Sequence, residues 1–221
     1  MITLEERISK LETLLYNLAS SVKTDIRVAL PAKVTAFNPD KQTISCIPTI
    51  RELININGVT RFQDLPELQD VPIVVPRAGN WAITLPISVG DECMVIFQDL
   101  CLDGWWSRGG IQNWNDLRRH DLSDAIAIFS PWSQPNALSN WNNSFLEIRN
   151  LDGSTKMTFS PGEVILVGNL KVKGNIDIDG TLDCTGTITS QSDVVAGTIS
   201  GKTHTHSGVT SGPDNTGVPN A

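Results

Sequence analysis

A chain of 221 residues, 40% hydrophobic and 19% charged, is globular in composition and long enough for one large or two small domains. Lys and Arg number 17 against 24 Asp and Glu, and the net charge of −7 argues against a nucleic-acid binder, since phosphate contacts need clustered cations. No apolar run approaches the ~20 residues that span a bilayer, and the early acids Glu5 and Glu6 are unlike a secretory leader. Cys46, Cys93, Cys101 and Cys184 stand singly with no C-x-x-C, which suits free thiols in a reducing compartment.

The first segment reads as a helix over residues 1–24. Leu4, Ile8, Leu11, Leu15, Leu18 and Val22 are spaced 4, 3, 4, 3, 4, the a/d seam of a coiled coil. Thr3 followed by Glu6 has the form of a capping box. Barely three heptads do not hold helices together unaided. Two readings follow: the seam packs on its own domain, or, as we favour, it self-associates beside other oligomer contacts.

Over residues 26–130 the period changes to alternation. Lys33-Val34-Thr35-Ala36-Phe37 and Gln42-Thr43-Ile44-Ser45-Cys46-Ile47 read as strands about a turn at Pro39-Asp40. Further turns are expected at Asn57-Gly58 and at Gly90-Asp91, ahead of Glu92-Cys93-Met94-Val95-Ile96-Phe97. Short strands at this spacing predict a small closed barrel or sandwich, with Trp105, Trp106, Trp114, Phe129 and Trp132 filling or capping it. Residues 131–144, rich in Pro, Asn and Ser, read as a linker or strap, and no Trp or Tyr follows it.

Beyond the linker, Gly168, Gly174, Gly180 and Gly186 recur every six residues. Between them Asn169-Leu170-Lys171-Val172-Lys173, Asn175-Ile176-Asp177-Ile178-Asp179 and Thr181-Leu182-Asp183-Cys184-Thr185 alternate polar and apolar. Each reads as a short strand with one buried face, ended by a Gly that permits a bend. The repeat predicts a β-helix or β-prism. So few units make little more than one coil, which cannot bury its own apolar face. Three chains closing a prism about a threefold axis would bury it, with Leu170, Val172, Ile176, Ile178, Leu182, Cys184 and Ile188 lining a dry core. The helix seam and the short repeat both call for oligomerisation, and we infer a trimer.

Two of the three histidines, His204 and His206, form an H-x-H close to the C-terminus. In an extended strand both rings point to one side. Three chains would supply six imidazole nitrogens, an octahedral set suited to Fe(II) or Ni(II), closed and therefore structural. The plainer reading is a solvated tail with two idle histidines, and it loses ground just past a trimeric shaft. His120 stands beside Asp121 and Asp124 with Ser123 between them, but neighbours in sequence rarely form a triad, and a structural loop histidine is expected. No Walker loop, G-x-S-x-G or H-E-x-x-H is present, so the chain is expected not to be an enzyme.

This order of parts resembles the central spike proteins of contractile-tail phage baseplates and related injection systems, in the small type without a lysozyme domain. The resemblance rests on Leu30-Pro31-Ala32-Lys33-Val34, Val71-Pro72-Ile73-Val74-Val75-Pro76 and Pro86-Ile87-Ser88-Val89-Gly90-Asp91-Glu92. It continues through Asp103-Gly104-Trp105 and Arg119-His120-Asp121-Leu122-Ser123-Asp124-Ala125 to His204-Thr205-His206-Ser207-Gly208-Val209.

The resemblance implies an all-β chain; the short N-terminal helix comes from the heptad spacing and is not a feature the family demands. Residues 25–144 would be an OB-fold barrel with its strap, 145–200 an intertwined trimeric β-helix, and 201–221 the tip. It implies one structural iron, Fe2+, per trimer, held by His204 and His206 of all three chains. The expected partners are two further copies, a baseplate hub protein, tail-tube or tape-measure components met through the N-terminal part, and transiently the host outer membrane. No nucleic acid is expected. The expected location is the virion, at the tip of the tail baseplate, after synthesis in the host cytoplasm. A trimeric tail fibre or adhesin that binds a surface receptor is the alternative, opposed by the lack of Trp and Tyr in the distal part.

Overall fold

The computed structural model describes residues 4–205, 207, 208 and 212, with only the helical backbone at 4–9 and 23–25. The chain forms two compact units that meet in sequence between Phe145 and Leu146.

The first unit opens with α1 (Leu4–Asp25). Its described seam residues Leu11, Leu15, Leu18 and Val22 are each more than half exposed, so the seam is not packed on its own domain. Thr3 of the expected capping box lies outside the described residues, as do the side chains of Leu4 and Ile8.

Strands follow at β1 (Ala29–Asn38), β2 (Thr43–Pro48), β3 (Glu52–Ile56), β4 (Val59–Gln63), β5 (Leu68–Pro72), β6 (Arg77–Ala78), β7 (Trp81–Ala82), β8 (Glu92–Phe97) and β9 (Ala125–Ile128), with α2 (Asp103–Arg108) before the last. The β1–β2 turn is held by Asn38, whose Oδ1 accepts the N–H groups of Asp40 and Lys41, both at 3.1 Å. Asn57 and Gly58 both take left-handed φ (54° and 82°), the backbone that a tight β3–β4 hairpin needs.

One five-stranded sheet, ordered β5-β2-β1-β8-β9, carries the core. All its neighbours are antiparallel. A register shift between Val34 and Ala36 bends the long central strand β1. The sheet curls until its ends meet: Ile73, just past β5, bridges Ala127 of β9 in parallel, and the Val74 N–H donates to the Ala127 carbonyl at 2.9 Å.

Alternate residues point inward. Ala32, Val34, Ile44, Cys46, Leu68, Val71, Cys93, Val95, Phe97, Ala125 and Ala127 form the core, with Phe129 packed against it. The tryptophans do not fill it: Trp105, Trp106, Trp114 and Trp132 are all exposed. The core is filled by aliphatic side chains, two thiols and Phe97, and the indoles lie outside the sheet. The Cys46 thiol is pushed well above its ordinary pKa, first by its hydrogen bond with Cys93 and then by burial, so it stays protonated.

The strap is tied to β8 by one carboxylate. Glu92 accepts from the Ser133 N–H at 2.6 Å, the Ser133 hydroxyl at 2.7 Å and the Asn136 amide at 2.8 Å. The Ser133 backbone bond, foremost, holds its pKa below the usual value. A carboxylate depressed in the folded state contributes stability above its unfolded pKa and loses it as pH falls through the folded one. Amide exchange at Ser133 is therefore expected to be protected at neutral pH and to lose protection below the usual carboxylate range, about pH 4. Glu92→Gln should lack that acid step; an unchanged pH profile in the variant would refute the tie.

The second unit begins with the meander β10 (Leu146–Arg149), β11 (Lys156–Ser160) and β12 (Glu163–Val167). Register places Leu146, Ile148, Met157, Phe159, Val164 and Leu166 on one face. Five of these, all but Met157, are exposed. The opposite face holds Glu147, which accepts from Lys156 at 3.0 Å and from the Thr158 hydroxyl at 3.1 Å. One side of this small sheet combines these polar contacts with the exposed Ile165 and Val167, and the other is apolar and open.

Residues 169–192 carry no strand in the chain by itself. The alternation read from the sequence is not accompanied by any ladder there, because six-residue units of one chain find no neighbour to bond. Leu170, Val172, Ile176, Ile178, Leu182 and Ile188 are exposed, Leu170 at 70% and Ile176 at 65%, and Cys184 is exposed too. Of the repeating glycines only Gly168 has a left-handed φ (122°). At Gly174, Gly180 and Gly186 a Cβ would meet nothing within 4 Å, so no constraint within one chain requires glycine there.

Candidate functional site

The chemistry-bearing residues of the second unit gather at its last hairpin, β13 (Val195–Ala196) and β14 (Ile199–Ser200), turned at Gly197 with φ 64°. Asp193 stands at its entrance. Its Oδ1 accepts the Val194 N–H at 2.8 Å and, nine residues on, the Lys202 N–H at 3.0 Å. The Ser200 hydroxyl, foremost, and the N–H groups of Lys202, Val194 and Gly201 hold its pKa below the usual carboxylate value. The Gly201 N–H donates to the Val194 carbonyl at 2.7 Å, and a Cβ on Gly201 would come within 2.9 Å of that oxygen. Glycine is there for close approach.

His204 follows directly. Its backbone N–H donates to the Ser200 carbonyl at 3.1 Å, and its ring Nδ1 lies 3.0 Å from the same oxygen. A carbonyl only accepts, so Nδ1 carries the proton and the basic lone pair belongs to Nε2. Donation from one ring nitrogen to a backbone carbonyl is the usual support for a histidine that coordinates metal through the other. The donor chemistry at His204 therefore fits a transition metal. His206, the second expected ligand, lies outside the described residues. Among the described residues, the expected shaft positions and the helix seam are each exposed in the single chain.

In the first unit the sequence reading missed a polar cluster. Asp124 is fully buried and accepts from the Leu102 N–H at 3.0 Å and from Arg118 Nε at 3.0 Å. Arg118 also donates to Asp103 at 2.8 Å and to the Cys101 sulfur at 3.1 Å. The ligating atoms of Cys101, Asp103 and Asp124 lie within 4.8 Å of one another, a spacing a metal could use. The cation that this cluster encloses is the Arg118 guanidinium, whose pKa is raised first by Asp124 and then by Asp103. The cluster pins the loop bearing α2 to the curled sheet. No periodicity or motif joins these residues, so only the fold reveals them.

His120 does not assemble a triad. Its Nε2 is 3.6 Å from Asp99, while Asp121 is engaged in accepting the Ser123 N–H at 2.8 Å. Arg119 donates to Asp99 at 3.0 Å and lies over the Trp114 ring at 5.8 Å. This is the structural role expected for a loop histidine and its neighbours.

Comparison with known families gives two matches. The family described as Phage protein Gp138 N-terminal domain matches residues 30–130, the curled sheet with its α2 loop. The GpV Apex motif matches residues 199–220, from β14 across both histidines of the H-x-H. A search of the curated proteins gives no match. Both matched parts are structural phage domains and neither is an enzyme type. With a phage baseplate domain at one end and a spike apex at the other, the chain is a phage central spike protein.

Proposed function

We propose that the protein is the homotrimeric spike that caps the hub and tail tube of a contractile-tail baseplate and is driven through the host outer membrane when the sheath contracts. The observation that carries this reading is the apolar surface a single chain leaves open. Leu170, Ile176, Leu182 and Ile188 repeat along the distal unit, each at least 65% exposed, and the open face of β10–β12 adds Leu146, Ile148 and Val164. Exposed apolar area on this scale calls for partners. A six-residue repeat with alternate apolar positions is what three identical strands about an axis would bury. The exposed a/d seam of α1 supports the same stoichiometry at the other end.

The order β5-β2-β1-β8-β9 with a parallel closure supports an OB-type barrel, a five-stranded Greek key. In this reading the barrels attach to the hub and α1 meets hub, tube or tape-measure components. A ladder between chains stiffens the shaft along its axis. His204 and His206 of three chains would hold one iron, which ties the chain ends into a closed point and performs no reaction. No described helix is long and apolar enough to cross a membrane, so penetration in this reading is mechanical. A receptor-binding fibre is the competing reading, and the distal unit offers no Trp or Tyr for sugar stacking.

Native mass spectrometry of the purified protein tests the proposal. Three chains with one ion of iron's mass are expected, and the ion should be absent from the His204→Ala/His206→Ala double variant. A metal-free trimer would turn the reading toward a fibre, and a monomer would defeat both.

A further inference from the structure

We propose that the loop bearing α2 forms a binding cleft for a neutral saccharide. The inference goes beyond the spike reading and needs neither the trimer nor the metal. It starts from two indoles that the fold leaves outside its core.

Trp105 of α2 and Trp114 of the segment after it line one cleft of about 410 Å³, together with Gly110, Ile111, Gln112 and Asn113. That volume lies within the ~300–1,000 Å³ of small-molecule sites. Gly109 and Gly110 take left-handed φ (69° and 64°) directly after the helix. The chain turns there, and Trp114 comes to line the same cleft as Trp105. A Cβ on either glycine would meet nothing within 4 Å, so the space beside them is open.

The two rings are half exposed, Trp105 at 55% and Trp114 at 49%, yet the loop that carries them is not loose. Arg118 ties it to the buried Asp124 and to Asp103. Within the turn, Arg108 Nε donates to Gln112 Oε1 at 3.2 Å, and Gln112 Nε2 donates to the Gly109 carbonyl at 2.8 Å. The Arg119 guanidinium, from a residue outside the cleft lining, steadies the Trp114 ring. Large rings fixed in place and left in water mark a binding surface.

The lining chemistry selects the ligand. No Asp, Glu, Lys, Arg or His lines the cleft. The neighbouring guanidiniums of Arg108, Arg118 and Arg119 are already engaged by Gln112, Asp124 and Asp99. A phosphate or carboxylate would therefore find no cation to pair with. A wholly apolar occupant fits no better. It would bury the Asn113 amide and the Trp105 and Trp114 indole N–H groups, which have no hydrogen-bond partner among the described residues. A sugar meets both demands. The C–H groups on one face of its ring are slightly positive and pack on the negative face of an indole, while its hydroxyls pair with the amide and N–H groups.

The test titrates the full-length protein with three neutral tetrasaccharides, chitotetraose, cellotetraose and maltotetraose, followed by tryptophan fluorescence and calorimetry. At least one is expected to bind saturably. Trp105→Ala and Trp114→Ala should each weaken that binding about 10-fold, the worth of one stacked ring. Asn113→Ala removes an exposed amide that the fold does not use, and should weaken it several-fold without any effect on folding. Trp81→Ala, at an exposed indole outside the cleft, should bind as the wild type does. Equal affinity in the wild type and the cleft variants overturns the proposal, as does the absence of saturable binding for all three sugars. Acrylamide quenching separates the remaining occupant: cleft indoles shielded in the sugar-free protein would make the cleft an interface between copies, and the proposal falls.

Discussion

Arg118→Ala is expected to destabilise the first unit by about 3–5 kcal/mol, the cost of leaving a buried charge without its partner. Asp124 is wholly inaccessible, and its two oxygens are held by Arg118 Nε, an Arg118 terminal nitrogen and the Leu102 N–H. Removing the guanidinium leaves that buried carboxylate with one amide as its remaining donor. The other arms of Arg118 reach Asp103 at 2.8 Å and Asp116 at 3.6 Å. Those contacts are exposed at the acid, so little of the effect should come from them. Arg118→Lys should fall between, because an ammonium keeps the charge but cannot present a planar fork to Asp124 and Asp103 together. Denaturant unfolding of the three proteins decides it. A shift below 1 kcal/mol for the alanine variant would mean that Asp124 is satisfied without Arg118.

The halves of this protein differ in how much their sequences disclose. In the barrel, alternation at Val34, Ile44, Cys46, Cys93 and Val95 marks the inward positions, and Asn57-Gly58 marks a hairpin, because each depends on neighbours along one strand. The Arg118 cluster is illegible beforehand because its members meet only after the sheet has curled. The tryptophans mislead for the opposite reason: a large ring suggests a core, yet Trp105, Trp106, Trp114 and Trp132 lie exposed outside the sheet. In the distal unit the six-residue period is plain, yet residues 169–192 form no strand in a single chain. Near the C-terminus, H-x-H is visible as a motif, while the contact of Asp193 with the Lys202 N–H follows no spacing rule.

Ile178→Asp is expected to abolish assembly of the shaft, whereas Asp177→Ala, one residue away, should leave it intact. The contrast follows from strand parity, which sends neighbouring side chains to opposite faces. If Ile178 lines a threefold axis, one substitution places three carboxylates in one apolar layer. Each loses its water, and each repels the other two at close range. No relaxation of a six-residue strand moves them out without flipping its whole apolar face into solvent. In a monomeric shaft Ile178 is already 48% exposed, and aspartate there would cost little. Mass alone is a poor readout, because the exposed seam of α1 could keep three chains together after the shaft has opened. Protease resistance of residues 145–200 is the sharper one, since a shaft bonded between chains protects its backbone and a single chain, with no ladder over 169–192, does not. Resistance should be high in the wild type and in Asp177→Ala and should disappear in Ile178→Asp. Equal resistance in all three would show that Ile178 does not face a shared core, and the open apolar positions would then need an occupant other than copies of this chain.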